Sequence, residues 1–223
     1  MTSIDYIVEN FLTFDQLAAS SGVSVEQLQE MIAANCLPGP AYEVTGTYKI
    51  HSVFGAHEEV VSRAYFPISH VAKAQAIASS AAPYPEQSEA LRQAFYTDYK
   101  NILLAKNAAA FGLAHLFDAA GQIAGPKADL LLAQEWQHYL DGTYGLCTRC
   151  ATASEIATKE TMIAKITCLT DKLEQESAAG LLDDLGLAVD ELDAVSAPFA
   201  PHEVARSSRG RHIDAVRRKY LTP

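Results

Sequence analysis

The segment from Glu135 to Lys159, EWQHYLDGTYGLCTRCATASEIATK, constrains the fold more than any other part of the chain. A helical pattern runs into it, stops at Asp141-Gly142-Thr143-Tyr144-Gly145, and a second helical pattern leaves it. Glycine admits positive backbone angles and close approaches that other residues resist, so Gly142 and Gly145 predict a sharp turn against which another backbone can pack. One glycine suffices to turn a chain. The second implies that Tyr144 and the following Leu146-Cys147-Thr148-Arg149 are aimed at a defined place. The incoming helix starts at Gly125-Pro126 and runs from about Lys127 to Leu140, with Leu130, Leu131, Trp136 and Leu140 on its buried side. Thr152-x-x-Glu155 fits a capping box and predicts an outgoing helix from about Ala153 to Gln175, with Ile156, Met162, Ile163, Ile166, Leu169 and Leu173 on its apolar stripe.

More helix lies on either side. Beyond Pro85, the residues Leu91, Phe95, Tyr99, Ile102, Leu103, Leu113, Leu116 and Phe117 recur at three- and four-residue steps, which predicts one long helix ended by Gly121. Its alanine-rich middle, Ala105 to Gly112, suits close approach of a neighbouring helix, and His115 reads as a hydrogen-bonded core or boundary residue. Ala178 to Val195 is helical by pattern with an acidic outer face. After the extended stretch Ala197 to His202, Arg206, Arg209, Arg211, Arg217, Arg218 and Lys219 make a basic tail ending in a short helix. The opposite charges predict that the tail folds back on the acidic helix, with Ile213, Val216 and Tyr220 as its apolar face.

At the N-terminus, Thr13-x-x-Gln16 and Ser24-x-x-Gln27 open two short helices joined by a tight corner at Ser20 to Val23. The pattern FLTFDQLAASSGVSVEQLQEMIAANCLPGPAYEV resembles the helix-turn-helix start of MerR-type regulators, including the exit Leu37-Pro38-Gly39-Pro40. Tyr42 to Val53 is strand-like with a break at Thr45-Gly46-Thr47, which predicts a hairpin wing. A helix that grips DNA needs cations for the phosphates. The second helix instead carries Glu26 and Glu30 with no Lys or Arg, and the wing sets Lys49 against Glu43. The module therefore reads as one used for packing or protein contact. The fold class expected is mainly α: a winged-helix-like module with a small β-hairpin over 1–68, then a helical bundle domain over 69–223.

Composition narrows the function classes. With 49% hydrophobic and 20% charged residues the chain is globular, and its net charge of -10 disfavours nucleic acid and anionic lipid. No apolar run approaches the roughly 20 residues of a membrane span, and MTSIDYIVENF carries acids where a signal peptide is basic, so a cytoplasmic location is expected. The 4 cysteines are too sparse for a disulfide scaffold and read as thiols.

The central segment supports several chemistries. Cys147 is a candidate nucleophile, with His138 as its base and Arg149 as a nearby cation. Tyr144, Arg149, Lys159 and Glu135 are candidate ligand-binding residues for an anionic or amino-acid-like molecule, helped by the N–H groups at the start of the outgoing helix. Against both stands a structural reading in which Arg149 and Lys159 pair with Glu135, Asp141 or Glu160 and only fix the turn. Cys147-x-x-Cys150 has the spacing of a zinc half-site or a redox pair. It lacks a second ligand pair, and the chain lacks the strand-helix alternation of thioredoxin-like folds, so no metal is assigned and no cofactor is named. A small-molecule ligand is the leading partner, with a homodimer or protein partner on the helix-turn-helix face as the alternative.

YLDGTYGLCTR (Tyr139 to Arg149), the following ATASEIATKE (Ala151 to Glu160), PFAP (Pro198 to Pro201) and IDAVRRKY (Ile213 to Tyr220) together resemble a bacterial family, a domain of unknown function, labelled natural product biosynthesis protein. The similarity spans most of the chain, and the MerR-like opening belongs to the same pattern. Cys147 and Arg149 belong to it while Cys150 does not. The resemblance implies an association with secondary-metabolite gene sets and no particular reaction, substrate or cofactor.

Overall fold

The computed structural model describes residues 1–175 and 179–221. The protein is mainly α-helical with one small antiparallel sheet of strand order β1-β3-β2. The chain opens with α1 (Ser3–Asn10), β1 (Phe11–Thr13), α2 (Phe14–Ser21) and α3 (Val25–Ala33). Both N-terminal capping boxes read from the sequence close. Gln16 N–H donates to Thr13 Oγ1 while Thr13 N–H donates to Gln16 Oε1, and Gln27 and Ser24 repeat the exchange. Each cap stabilises its helix by about 1 kcal/mol. The inward faces of α2 and α3, with Leu17, Leu28 and Met31, bury against Leu37, Phe66 of the sheet, and Ala74 and Ile77 of α4 (His70–Ala78).

The hairpin is longer than the sequence suggests. β2 (Tyr42–Ser52) runs unbroken through Thr45-Gly46-Thr47, with Gly46 opposite Val61, and the turn comes at Val53-Phe54. Gly55, at φ 118°, supplies the positive angle that the expected break at Gly46 would have used. The returning strand β3 (Gly55–Pro67) was not foreseen: from Gly55 to Val60 every residue is exposed, so no alternation of polar and apolar residues marks its first half.

α5 (Tyr84–Ala105) also differs from expectation by stopping at Ala105 instead of continuing to Gly121. Asn107 adopts φ 50° and Gly112 φ 89°, which convert the alanine-rich stretch into short 3-10 turns at Ala108–Phe111 and Ala114–Leu116. His115 is exposed, with Nδ1 3.3 Å from the Gly112 carbonyl oxygen, and does not enter the core.

α6 (Pro126–Leu140), α7 (Thr143–Cys147), α8 (Ala153–Leu173) and α9 (Ala179–Val195) complete the helical part. Ala178, the expected start of the last of these, lies outside the described residues. The buried face of α6 is Ala128, Leu132, Trp136 and Tyr139, so Leu130, expected inside, is 60% exposed. Phe95, Tyr99 and Leu103 of α5 pack on that face and on Ile156 of α8. Within this core Trp136 stacks on Tyr139 at 5.1 Å and Phe95 meets Trp136 edge-on at 5.4 Å. Farther along α8, Met162, Ile166 and Leu169 join Leu185, Val189 and Leu192 of α9, and Ile213 of the tail closes that cluster. Arg217 donates to Asp190 and Asp193 at 2.7 Å each, Arg209 also pairs with Asp193, and Lys219 pairs with Glu174 at 2.9 Å. Burial works against the Asp193 carboxylate, but these guanidinium groups hold its pKa below the ordinary range. Among the described residues no helix is long and apolar enough to cross a membrane.

Candidate functional site

Both glycines of the central turn answer to neighbours packed against them, Gly142 to backbone and Gly145 to a side chain. A Cβ on Gly142, which adopts φ 86°, would lie 2.3 Å from the Pro40 carbonyl oxygen. One on Gly145 would lie 2.5 Å from Pro67 Cγ at the end of β3. Gly39 N–H also donates to the Leu140 carbonyl at 2.8 Å, so the exit from α3 is clamped onto the end of α6. From Gly142 the chain winds into α7, which turns the Tyr144 side chain back along α6 to Glu135.

The segment after α7 is pinned on its other side. Thr148 Oγ1 donates to the Tyr144 carbonyl at 2.7 Å and accepts from Ala151 N–H at 3.0 Å. Arg149 N–H donates to Val195 O at 3.1 Å, and its guanidinium donates to Ala194 O at 2.7 Å and Asp193 O at 3.2 Å. Arg149 therefore caps the C-terminus of α9, where free carbonyls and the helix dipole favour a cation.

A cleft of about 290 Å³ opens between α6, α7 and α8, lined by Glu135, Tyr144, Ile156, Lys159, Glu160 and Ile163. The Tyr144 hydroxyl donates to Glu135 Oε2. Opposite, the Tyr99 hydroxyl donates to Glu160 Oε2. Burial raises the pKa of both carboxyl groups, Glu160 to about 7. For Glu135 the Tyr144 hydrogen bond, His138 and Lys159 pull the other way without cancelling burial. Lys159 is only 9% exposed; its Nζ donates to the Cys147 carbonyl at 3.4 Å and lies 5.9 Å from the Phe199 ring centroid. One small cleft thus presents two carboxyl groups whose pKa burial raises, a mostly buried lysine and two isoleucines.

Of the residues singled out from the sequence, Glu135, Tyr144 and Lys159 come together here. Cys147 adjoins them chiefly through its backbone. Its thiol is buried, and burial pushes the pKa up against the pull of Lys159, the opposite of what an activated nucleophile needs. His138 does not serve it: the imidazole Nδ1 stands 3.5 Å from Asp141 on the exposed side of α6. Arg149 is spent on the end of α9. The Cys147–His138–Arg149 arrangement expected from the sequence is therefore not assembled, because α7 turns Cys147 inward while His138 faces out. Cys150 is exposed, and Cys147 and Cys150 are both free thiols.

The sequence placed Glu160 only as an ion-pair partner and Tyr99 only on the periodic apolar face of a helix. A signal was present for Glu160. It sits at the fourth position from Ile156 and three before Ile163, which puts a carboxylate on the apolar stripe of α8. Phe199, in PFAP, holds φ 67°, an unusual angle for a bulky side chain, and so brings its ring over Lys159. Lys73 of α4 donates to the Ala151 carbonyl at 2.8 Å above the Tyr139 ring, and burial lowers its pKa to about 8.

No curated protein and no solved structure matches the chain. The family model that does match covers residues 91–221, a span holding the whole cleft, the turn and the basic tail: the chain belongs to the family of unknown function DUF6058.

Proposed function

We propose that the cleft binds a small amino-acid-like molecule, and that the protein is an accessory protein or enzyme of bacterial small-molecule biosynthesis. The observation that carries this reading is that Glu135, Lys159 and Glu160 line one cleft. Two carboxylates suit an ammonium group, the buried Lys159 suits a carboxylate, and Ile156 and Ile163 suit an aliphatic body. The biosynthetic setting rests on the resemblance carried by YLDGTYGLCTR and PFAP. Calorimetric titration of amino acids, simple amines and keto acids tests the site. At least one amino acid should bind the protein and lose about tenfold or more in affinity to Glu160→Gln. Keto acids binding as well as their amino counterparts would remove the carboxylates from recognition, and a protein that binds none of the panel would sink the reading.

A second reading has its own observation. Glu26, Gln27 and Glu30 are exposed along α3, so the MerR-like module over 1–68 presents an acidic, amide-bearing face. That face suits a protein partner better than DNA phosphates, which leaves transcriptional regulation as the third reading. A partner lost on substituting Gln27 and Glu30 would favour the second reading.

A further inference from the structure

Beyond its base, the β2–β3 hairpin is an arm with nothing packed on either face among the described residues. β1 pairs β3 only over Tyr65 to Pro67. Farther out, β3 meets only β2, and the outer edge of β2 has no strand partner among the described residues. From Thr47 to Val60 every residue is exposed. Tyr48 and Ile50 are about half exposed, Val60 is 69% exposed, and Val53 and Phe54 at the tip are 95% and 97% exposed. A two-stranded ribbon is marginal in water without a covered face, and an open, partly apolar edge invites a further strand. The apolar residues are also ordered: Tyr42, Val44, Tyr48 and Ile50 alternate along one face of β2, continuing outward from the buried cluster of Tyr6, Phe11 and Tyr65.

We propose that two copies of this chain pair antiparallel through their β2 edges, with Gly46 at the two-fold axis. In that register Val44 faces Tyr48 of the second copy, Tyr42 faces Ile50 and Thr45 faces Thr47. Glu43 faces Lys49, and symmetry repeats every pair. Apolar side chains then adjoin apolar side chains on one face, and the charges on the other face oppose in sign. The nearest registers do worse. An axis at Thr47 sets Lys49 opposite Thr45 and Tyr42 opposite Ser52, keeping only His51 as a partner for Glu43. An axis at Thr45 sets Lys49 opposite Ala41. Glu43 and Lys49 are both exposed, Lys49 holding only a surface pairing with Glu58 at 3.5 Å. With Gly46 at the axis, Ser52 falls opposite Pro40, so each Val53-Phe54 tip reaches the body of the other copy. The arm lies wholly outside residues 91–221, and this inference is independent of the reading of the cleft.

The charges supply the test. Glu43→Lys sets lysine against Lys49 twice in its own dimer, and Lys49→Glu sets glutamate against Glu43 twice. Each variant alone should dissociate about tenfold more readily than the unaltered chain in sedimentation velocity. Mixed together they should form a heterodimer, because every cross-pair is again opposite in sign. Gly46→Cys on a Cys150→Ser background should join two copies by a disulfide on mild oxidation, since opposed residues of antiparallel strands lie about 4.5–5.5 Å apart, within disulfide reach. An unaltered chain that stays monomeric up to about 100 µM overturns the proposal, as does a dimer indifferent to both charge variants or one that fails to cross-link at Gly46.

Discussion

The central turn and the β-arm both depend on glycine and both were visible as glycine-bearing stretches of sequence, yet they are built to opposite ends. In the turn, Gly142 and Gly145 leave out side chains because Pro40 and Pro67 occupy the space. In the arm, a Cβ on Gly46 would make only ordinary contact, 3.5 Å from the Tyr48 ring. The same residue type thus marks a place already filled in one region and a place left open in the other. A glycine near other sequence signals says that something comes close; only the structure says whether it comes from the same chain.

That contrast can be broken most directly by adding one methyl group to each region. Gly142→Ala should lower stability by about 3 kcal/mol, from the left-handed angle and the collision with Pro40 together, and reduce Tm by roughly 10 °C. Gly46→Ala should leave monomer stability within about 0.5 kcal/mol. Equal losses in thermal denaturation would erase the distinction.

A smaller effect separates the two regions by pH. Glu160 has its pKa raised by burial to about 7, so the folded state holds that proton more tightly than the unfolded chain does. Its contribution is fully present below the unfolded value near 4.5 and is lost as pH rises through about 7. The change is on the order of 2 kcal/mol once partial solvation and the Tyr99 hydrogen bond are allowed for. Glu160→Gln should flatten the fall in Tm across that window, and an unchanged slope would place the proton elsewhere. The smallest effect belongs to the arm tip. Val53→Ser with Phe54→Ser should change the Tm of dilute protein by no more than about 1–2 °C, because neither side chain is buried in a single copy; a larger fall would mean that the tip packs within its own chain.

Much of the helical framework was legible because its signals are local. Thr13, Ser24 and Thr152 announce helix starts, and Gly125-Pro126 opens α6 where the structure opens it. The end of α5 was not legible. The periodicity of Leu113, Leu116 and Phe117 continues that of Leu103, while the left-handed Asn107 that breaks the helix carries no strong label in a chain read alone. Half the cleft could be read from Glu135, Tyr144 and Lys159, which cluster near the turn. Glu160 and Tyr99 complete it through packing between α5 and α8, and sequence distance hides that packing. The expected role of Arg149 failed for the same reason. Its partners are carbonyls 44 and 45 residues away, at the end of a helix whose position no local pattern reveals.

The buried cluster of Tyr6, Phe11 and Tyr65 at the base of the arm also sets a timetable. Tyr42 donates to Glu203 across 161 residues, and Tyr6, Ile7 and Phe11 share one buried cluster with Ala200. At a synthesis rate of roughly 5–20 residues per second, those N-terminal side chains wait about 10–40 s after Phe11 is made before Ala200 exists to cover them. A nascent chain therefore carries that apolar patch uncovered through this interval, and the seam closes only once Ala200 and Glu203 have been made.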